Sequence, residues 1–503
     1  MTRFLFAASV AALLLTSVGR GGAAVPGASG PGASTSAPQQ NAPAGLPQGS
    51  AQGSTSAPAG ASPGPMTPPG PLDRLAERYW DGYLELNPLR ATASGDHRAD
   101  DRLENSISPQ YLADSLALER RALAELLGLP VPTENTPARL TYELFKRGRE
   151  LTIEGYLYPE ELFPVDPFEG LAQDFAVMGS GAGPQPFATA KDYENWLRRI
   201  DGFALWTEQA LDNLRSGIRR GYLAPRALVE ELLPQLAALG QDGPANPFYR
   251  PLSAMPSTID EPRRAALSER FATAVKVKVL PAYRGLHDFL KNEYLPLAPE
   301  QGNWSRLPLG EAWYAYLVRK QTSVQLTPAQ VHRLSLAEVE RLRGRVQALL
   351  NEAGFSGNAQ AYFDLLRHEP RAVFGTPAEQ LGAYRELQTR IDSEAPAVLN
   401  GLPPVPAMIR AAPHFLESFN PPIAYRGATP DGNFPATLDV NSAAAARYAF
   451  QIGPMLLGAY LPGRHAQFVV QQSARDLPRF RKFGATPAFV DGWALYAQSL
   501  GEP

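Results

Sequence analysis

Cysteine is absent from the sequence of 503 residues. Its absence excludes disulfide bonds, thiolate metal ligands, a cysteine nucleophile and lipid attachment through a cysteine. Histidine is scarce, and no two histidines stand four residues apart, as a helical metal-binding pair requires. The six histidines are His97, His287, His332, His368, His414 and His465. The sequence therefore offers few ligands for a transition metal.

A large charge of either sign is also missing. The formal net charge is −3 and the pI is about 6.2. Nucleic-acid binding needs a clustered basic excess, so we expect no nucleic-acid partner. After residue 24 there is no run of about 18 apolar residues, so we also expect no transmembrane segment in the mature chain.

The first 70 residues read as targeting and spacer sequence. Arg3 precedes a short apolar stretch at residues 4–15, and Ala23 and Ala24 supply small residues for cleavage. This pattern predicts a signal peptide over residues 1–24 and export to the periplasm or the medium, the alternative being an uncleaved N-terminal anchor. Residues 25–70 carry no charge and are rich in Pro, Gly, Ala and Ser, which predicts a disordered spacer.

Helical periodicity dominates the rest of the chain. An apolar stripe from Leu72 to Leu84 predicts a helix that stops at Asn87 and Pro88.

Helix-capping signatures predict further helix starts at Thr327, Ser335 and Thr376. The helix opened at Ser335 is expected to run to Gly354 with an apolar stripe that includes Leu336.

Alternation typical of a strand is confined to residues 434–440, where we expect one short hairpin. Long irregular connections are predicted near 160–188, 240–262 and 400–440. Residues 71–503 are therefore predicted to form an all-α, mainly helical domain.

The most informative segment is residues 441–501. It contains PGRHAQ at residues 462–467, LPRFR at 477–481 and DGWALYA at 491–497. Phe489, Trp493, Tyr496 and Leu500 recur at helical spacing, which predicts that they form the core-facing side of a helix.

Together these motifs resemble the domain of unknown function 885 (DUF885) family of bacterial proteins. The family pattern is H-E-x-x-P-G-H-H-x-Q, then L-P-x-F-R, then E-G-W-A-L-Y-x-E, in the same order and at similar spacing. Weaker similarity, including Asn441 and Tyr448, extends the resemblance over residues 71–503. The resemblance implies a helical, zincin-like fold in which two histidines and a downstream glutamate hold zinc. The glutamate after the first histidine then activates water.

The sequence departs from this pattern at the positions that matter most. Gly458 stands at the first histidine and Ala459 at the general base. Arg464 replaces the first histidine after Pro-Gly, His465 keeps the second, and Asp491 replaces the downstream glutamate. The resemblance thus implies no intact catalytic or metal site, with His465 and Asp491 as vestigial metal candidates and no cofactor expected.

Two further departures concern the end of the chain. The closing glutamate of the third motif is Gln498, and the sequence ends at Pro503, where the family continues. We therefore expect a domain that is incomplete at its C-terminus.

Arg464 and Asp491 suggest a specific contact. A guanidinium can bind a buried carboxylate through two hydrogen bonds and so take the place of the metal. The alternative is that Arg464 points to solvent from the start of its helix.

Other candidate sites are weaker. Ser180 lies between two glycines, but the sequence lacks the G-x-S-x-G elbow of a serine hydrolase. His97 has aspartates nearby and could suggest a metal cluster, although a solvated turn is the favoured interpretation. Glu160, Glu161 and Asp166 are interpreted as surface residues.

Three functional hypotheses follow. The first is a pseudoenzyme that binds a peptide or small molecule in an inherited cleft. The second is a residual or unusual metal-dependent hydrolase. The third is a truncated, non-functional remnant.

Overall fold

The computed structural model describes residues 70–369, 372–399, 401–417, 421–443 and 448–500. The predicted signal peptide and, apart from Gly70, the predicted spacer lie outside these residues. Helix makes up 67% of the structure and strand 4%, which confirms the predicted mainly helical fold. The helices are α1 Pro71–Leu86, α2 Pro88–Ala93, α3 Pro109–Leu127, α4 Pro137–Gly155, α5 Leu171–Gly179, α6 Ala190–Arg220, α7 Arg226–Gly240, α8 Arg250–Ser253, α9 Glu261–Ala274, α10 Leu280–Phe289, α11 Gly310–Thr322, α12 Pro328–Glu352, α13 Ala359–His368, α14 Pro377–Val398, α15 Ala449–Ala459, α16 Arg464–Ser473, α17 Arg479–Phe483 and α18 Pro487–Ser499.

Helices α1, α3 and α4 pack around a small N-terminal core. Tyr79 of α1, Leu126 of α3 and Phe145 of α4 are buried in it. The Tyr79 hydroxyl donates a 2.8 Å hydrogen bond to Glu119, so this core also holds a partnered carboxylate. Helix α1 ends at Leu86, which confirms the predicted stop before Asn87.

A larger core surrounds α6, the longest helix. The rings of Phe175, Trp196, Phe203 and Trp206 stack there, with Phe175 and Phe203 only 4.1 Å apart between centroids. Helices α7, α9 and α10 contribute further buried residues to the same core. This apolar cluster fixes α5 and α6, which form part of the cleft described below.

The predicted helix starts at Thr327 and Thr376 are confirmed, each with a complete capping box. The predicted start at Ser335 is wrong, because α12 runs without a break from Pro328 to Glu352. The Ser335 hydroxyl donates to the carbonyl of Val331 inside the helix instead of capping a new one. Of the predicted stripe, Leu336 is 53% exposed, Val339 and Val346 are partly buried, and Leu350 is buried, so the stripe faces the core only towards the end of the helix.

A three-stranded sheet comprises β1 Ala407–Ala411, β2 Ile423–Arg426 and β3 Ala436–Val440. Strand β3 lies in the middle, antiparallel to β2 and parallel to β1. The strand predicted at 434–440 and its antiparallel partner are therefore confirmed, whereas β1 was missed. Every residue of β3 is buried, and its Asp439 accepts hydrogen bonds from Arg410 of β1 and Arg426 of β2.

His97 connects the N-terminal helices to the loop before β3. Its Nδ1 lies 2.7 Å from the Asp100 carboxylate and its Nε2 lies 2.6 Å from the Asp431 carboxylate. Burial opposes protonation of the ring, but the hydrogen bonds to Asp431 and Asp100 outweigh it and raise the pKa of His97. Only a doubly protonated ring can donate to both carboxylates. The favoured interpretation of His97 as part of a solvated turn is therefore incomplete.

The other groups near His97 also favour its cationic form. Asp431 accepts further hydrogen bonds from Thr429 and Asn433, and its pKa is lowered to about 2 because these bonds and His97 outweigh partial burial. Asp100 accepts from Thr92 and lies 3.8 Å from Arg199.

We predict that the contact of His97 with its two aspartates weakens as pH rises. The folded-state pKa of His97 is raised, so its contribution to stability is complete below the unfolded value of about 6.5. That contribution is lost as pH increases through the folded value. Melting temperatures from pH 6 to 9 should therefore fall more for the wild type than for His97→Gln. His414→Gln is the control, because the His414 side chain is 98% exposed. Identical pH profiles for wild type and His97→Gln would contradict the prediction.

Candidate functional site

The motif residues form a corner between α15, α16 and α18. The end of α15 and the start of α16 are joined by four residues in which the Leu461–Pro462 peptide bond is cis. Gly463 begins α16 so close to α15 that an added Cβ would lie 2.1 Å from the carbonyl oxygen of Gly458. The glycine of the Pro-Gly motif is therefore required by the close approach of two backbones.

Arg464 and Asp491 are in contact, as hypothesised. The Arg464 Nη2 donates to Asp491 Oδ1, which joins the start of α16 to α18. The Arg464 side chain is 30% exposed and that of Asp491 is 13% exposed, so the pair is partly shielded from water. Burial raises the pKa of Asp491, and the nearby Arg464 only partly offsets this effect. The alternative in which Arg464 points to solvent is wrong.

His465 is buried, and both of its ring nitrogens are engaged. Nε2 lies 2.7 Å from the carbonyl oxygen of Val405, and Nδ1 lies 3.1 Å from the hydroxyl of Tyr425. Because a carbonyl only accepts, Nε2 carries the proton and Nδ1 accepts from Tyr425. Burial lowers the pKa of His465, which favours this neutral form. The ring also stacks on Tyr460 with centroids 5.2 Å apart.

Gly458 is closely approached by α18, and Ala459 is buried among apolar side chains. A Cβ on Gly458 would lie 2.6 Å from the Gln498 amide nitrogen and 3.3 Å from the Ala494 carbonyl oxygen of α18. Ala459 is buried in the apolar cluster that also contains Tyr460 and the strands of the sheet. A histidine at 458 would require Gln498 to move, and a glutamate at 459 would enter an apolar environment.

The donor set of this corner does not suit a catalytic zinc ion. Such a site needs about three nitrogen or carboxylate ligands and an open position. Arg464 is a cation in contact with Asp491, the nitrogens of His465 are both hydrogen-bonded, and Gly458 has no side chain. No group of three or more metal-ligating side chains occurs anywhere in the described part of the chain.

The predicted core-facing side of α18 is wrong. Phe489 is 59% exposed and Tyr496 is 54% exposed, while the buried residues of α18 are Val490, Ala494 and Ala497. Small side chains face Gly458 because α15 and α18 approach closely, and this leaves the large apolar residues outside. The spacing therefore correctly predicted a helix. The side that packs against α15 is the one with small side chains, and the predicted side with large aromatic residues is the more exposed one.

The structure also places the weaker candidate residues. Ser180 is buried at the end of α5, where its hydroxyl donates to the carbonyl of Val177, so the serine-hydrolase alternative has no support. Glu160, Glu161 and Asp166 are partly buried rather than surface residues, and they line a large cleft. Burial raises the pKa of Glu161 and of Asp166.

This cleft has a volume of about 1890 Å³ and lies between the N-terminal helices, α5, α6, α11 and the start of α12. Its wall is rich in aromatic rings, including Tyr83, Tyr111, Trp304 and Tyr314. None of Gly458, Ala459, Arg464, His465 and Asp491 lines it. Sequence reasoning missed the cleft, because its lining comes from many separate segments that carry no shared motif.

These features define a mainly helical protein with a motif corner near its C-terminal end and a separate large cleft. A family model described as "Bacterial protein of unknown function (DUF885)" matches residues 88–502, so the chain belongs to this family.

A solved structure of a Colwellia psychrerythraea protein, named as a putative lipoprotein, is similar in fold with a TM-score of 0.76. The two sequences are 19% identical, and the match covers 85% of this chain and 77% of the other. No curated protein matches the sequence.

We predict that Gly463→Ala destabilises the motif corner. The new Cβ would meet the backbone carbonyls of Leu457 and Gly458, which cannot move independently. We expect a loss of about 1–3 kcal/mol, measured by chemical denaturation. Gly492→Ala on α18 is the control, because nothing lies within 4 Å of its added Cβ. Equal stability of the two variants would contradict the proposed close approach.

We also predict energetic coupling between Arg464 and Asp491. Arg464→Ala should cost about 1–2 kcal/mol, between the values for exposed and for fully buried pairs. The double variant with Asp491→Ala should cost less than the sum of the two single changes. Loss of the cation would raise the pKa of Asp491 further, so the cost of Arg464→Ala should decrease as pH falls and the carboxylate becomes protonated. Strict additivity would show that the contact has no energetic role.

Proposed function

We propose that this protein is a non-catalytic member of the DUF885 family that binds a peptide or small molecule in its large cleft. The observation that carries the proposal is the contact of Arg464 with Asp491. A guanidinium at a ligand position repels a dication and occupies the carboxylate of Asp491. Without a metal or a carboxylate at position 459, the corner has no group to activate water.

The cleft supports the binding part of the proposal. Pockets for drug-sized ligands measure roughly 300–1,000 Å³. A cleft of about 1890 Å³ is larger, which favours an extended ligand such as a peptide. Aromatic and apolar walls with a few polar groups are typical of ligand sites. Because the motif corner does not line this cleft, its loss of catalytic residues leaves the binding surface unchanged.

We further propose that the protein is exported to the periplasm or the medium. The sequence pattern of residues 1–24 supports a signal peptide. The neighbour from Colwellia psychrerythraea carries the description of a lipoprotein, which is a class of exported protein. Among the described residues no helix is both long enough and apolar enough to cross a membrane.

The first test is metal content together with peptidase activity. After dialysis against a weak chelator, elemental analysis of the purified protein should find well under one zinc per chain, and no peptide should be cleaved. Near-stoichiometric zinc that is lost in His465→Ala would overturn the proposal and favour the residual hydrolase.

Reversion of the motif is the complementary experiment. We predict that Gly458→His with Ala459→Glu, Arg464→His and Asp491→Glu together increase zinc retention above that of the wild type, because they restore the family's donor set. A matched variant that keeps Ala459 should retain zinc but remain inactive, since it lacks the base. Unchanged zinc content in both variants would show that these substitutions do not account for the lost site.

A further inference from the structure

Asp174 is one of several acidic residues that line the cleft. It lies in the first turn of α5, and the cleft wall next to it includes Val177 and Met178 of the same helix. Within the described ranges, no hydrogen bond or ion pair reaches its carboxylate. By contrast, Glu104 accepts from the backbone N–H of Leu89, and Asp166 accepts from that of Phe168.

Nearby cations do not neutralise Asp174. Arg426 exerts the largest favourable charge effect on Asp174, but its guanidinium is bound to the buried Asp439. Burial therefore dominates and raises the pKa of Asp174. The α5 N-terminus favours an acidic residue in its first turn, but this effect is small compared with the cost of desolvating a carboxylate.

The wall of the same cleft also carries aromatic side chains. Tyr222, Tyr294 and Trp206 are among them. Aromatic faces attract ammonium and guanidinium groups and also contact apolar groups. A partly buried carboxylate without a hydrogen-bond partner in an aromatic cleft is most favourable when a bound cation completes it.

We propose that the cleft takes a ligand that carries an ammonium or guanidinium group on an apolar body, with Asp174 as the counter-charge. This inference rests on the proposed binding function and deepens it. For a peptide ligand, the cation would be the free amino terminus or a basic side chain.

The test compares two probes that differ only in charge. One is the tripeptide amide of phenylalanine, leucine and phenylalanine with a free amino terminus, and the other is its N-acetylated form. Calorimetric titration of the full-length wild type should show tighter binding of the free amine by about tenfold, the factor that corresponds to 1.4 kcal/mol. This comparison uses no variant, so it remains decisive if a substitution prevents folding.

Substituted variants then test whether Asp174 causes the preference for the free amine. Asp174→Asn should reduce the ratio of the two affinities to near one without lowering the melting temperature, because it removes a partly buried charge that has no hydrogen-bond partner. Asp212→Asn makes the same change at a side chain that is 71% exposed, and it should keep the wild-type preference.

The outcomes separate the inference from the function on which it rests. Equal affinity of both probes for the wild type, or an unchanged preference in Asp174→Asn, would overturn the role of Asp174 and leave the binding cleft standing. Failure of the wild type to bind either probe would contradict the proposed binding function itself.

Discussion

A buried arginine organises the middle of this protein. Arg199 lies in α6 with no exposed surface and donates hydrogen bonds to the carbonyls of Arg102, Ala99 and Pro88. It also donates to Thr92, which in turn donates to Asp100. Burial lowers the pKa of Arg199 to about 10, so it remains a cation near neutral pH. A buried cation is stable only when its donors are satisfied, so the chain around residues 88–102 must close over it.

The packing of residues 88–102 over Arg199 also positions other parts of the fold. It fixes the turn that carries His97, and His97 then joins the N-terminal helices to the loop before β3. It also fixes one side of the cleft, since Glu104 follows this segment and α6 supplies Trp206. The cleft and the motif corner are therefore held by different contacts.

Ion-pair and hydrogen-bond contacts within the chain stabilise the motif corner. An ion pair joins Arg464 to Asp491, and hydrogen bonds to Tyr425 and Val405 hold His465 in a neutral form. Gly458 and Ala494 allow α15 and α18 to pack closely. Each of these contacts stabilises the fold without a ligand, so the corner has a structural role regardless of any activity.

Sequence alone was sufficient for the family, the mainly helical fold, the capped starts of α12 and α14 and the strand β3, and it offered the contact of Arg464 with Asp491 as one of two alternatives. These depend on local patterns or on complementary charge at known motif positions. Only the tertiary structure decided which side of α18 is buried, that Ser335 lies inside α12, and that β1 pairs with β3. It alone also assembled the cleft and, among the described residues, left the Asp174 carboxylate without a hydrogen bond. Burial, helix–helix distance and long-range pairing depend on residues far apart in the chain, and no local pattern records them.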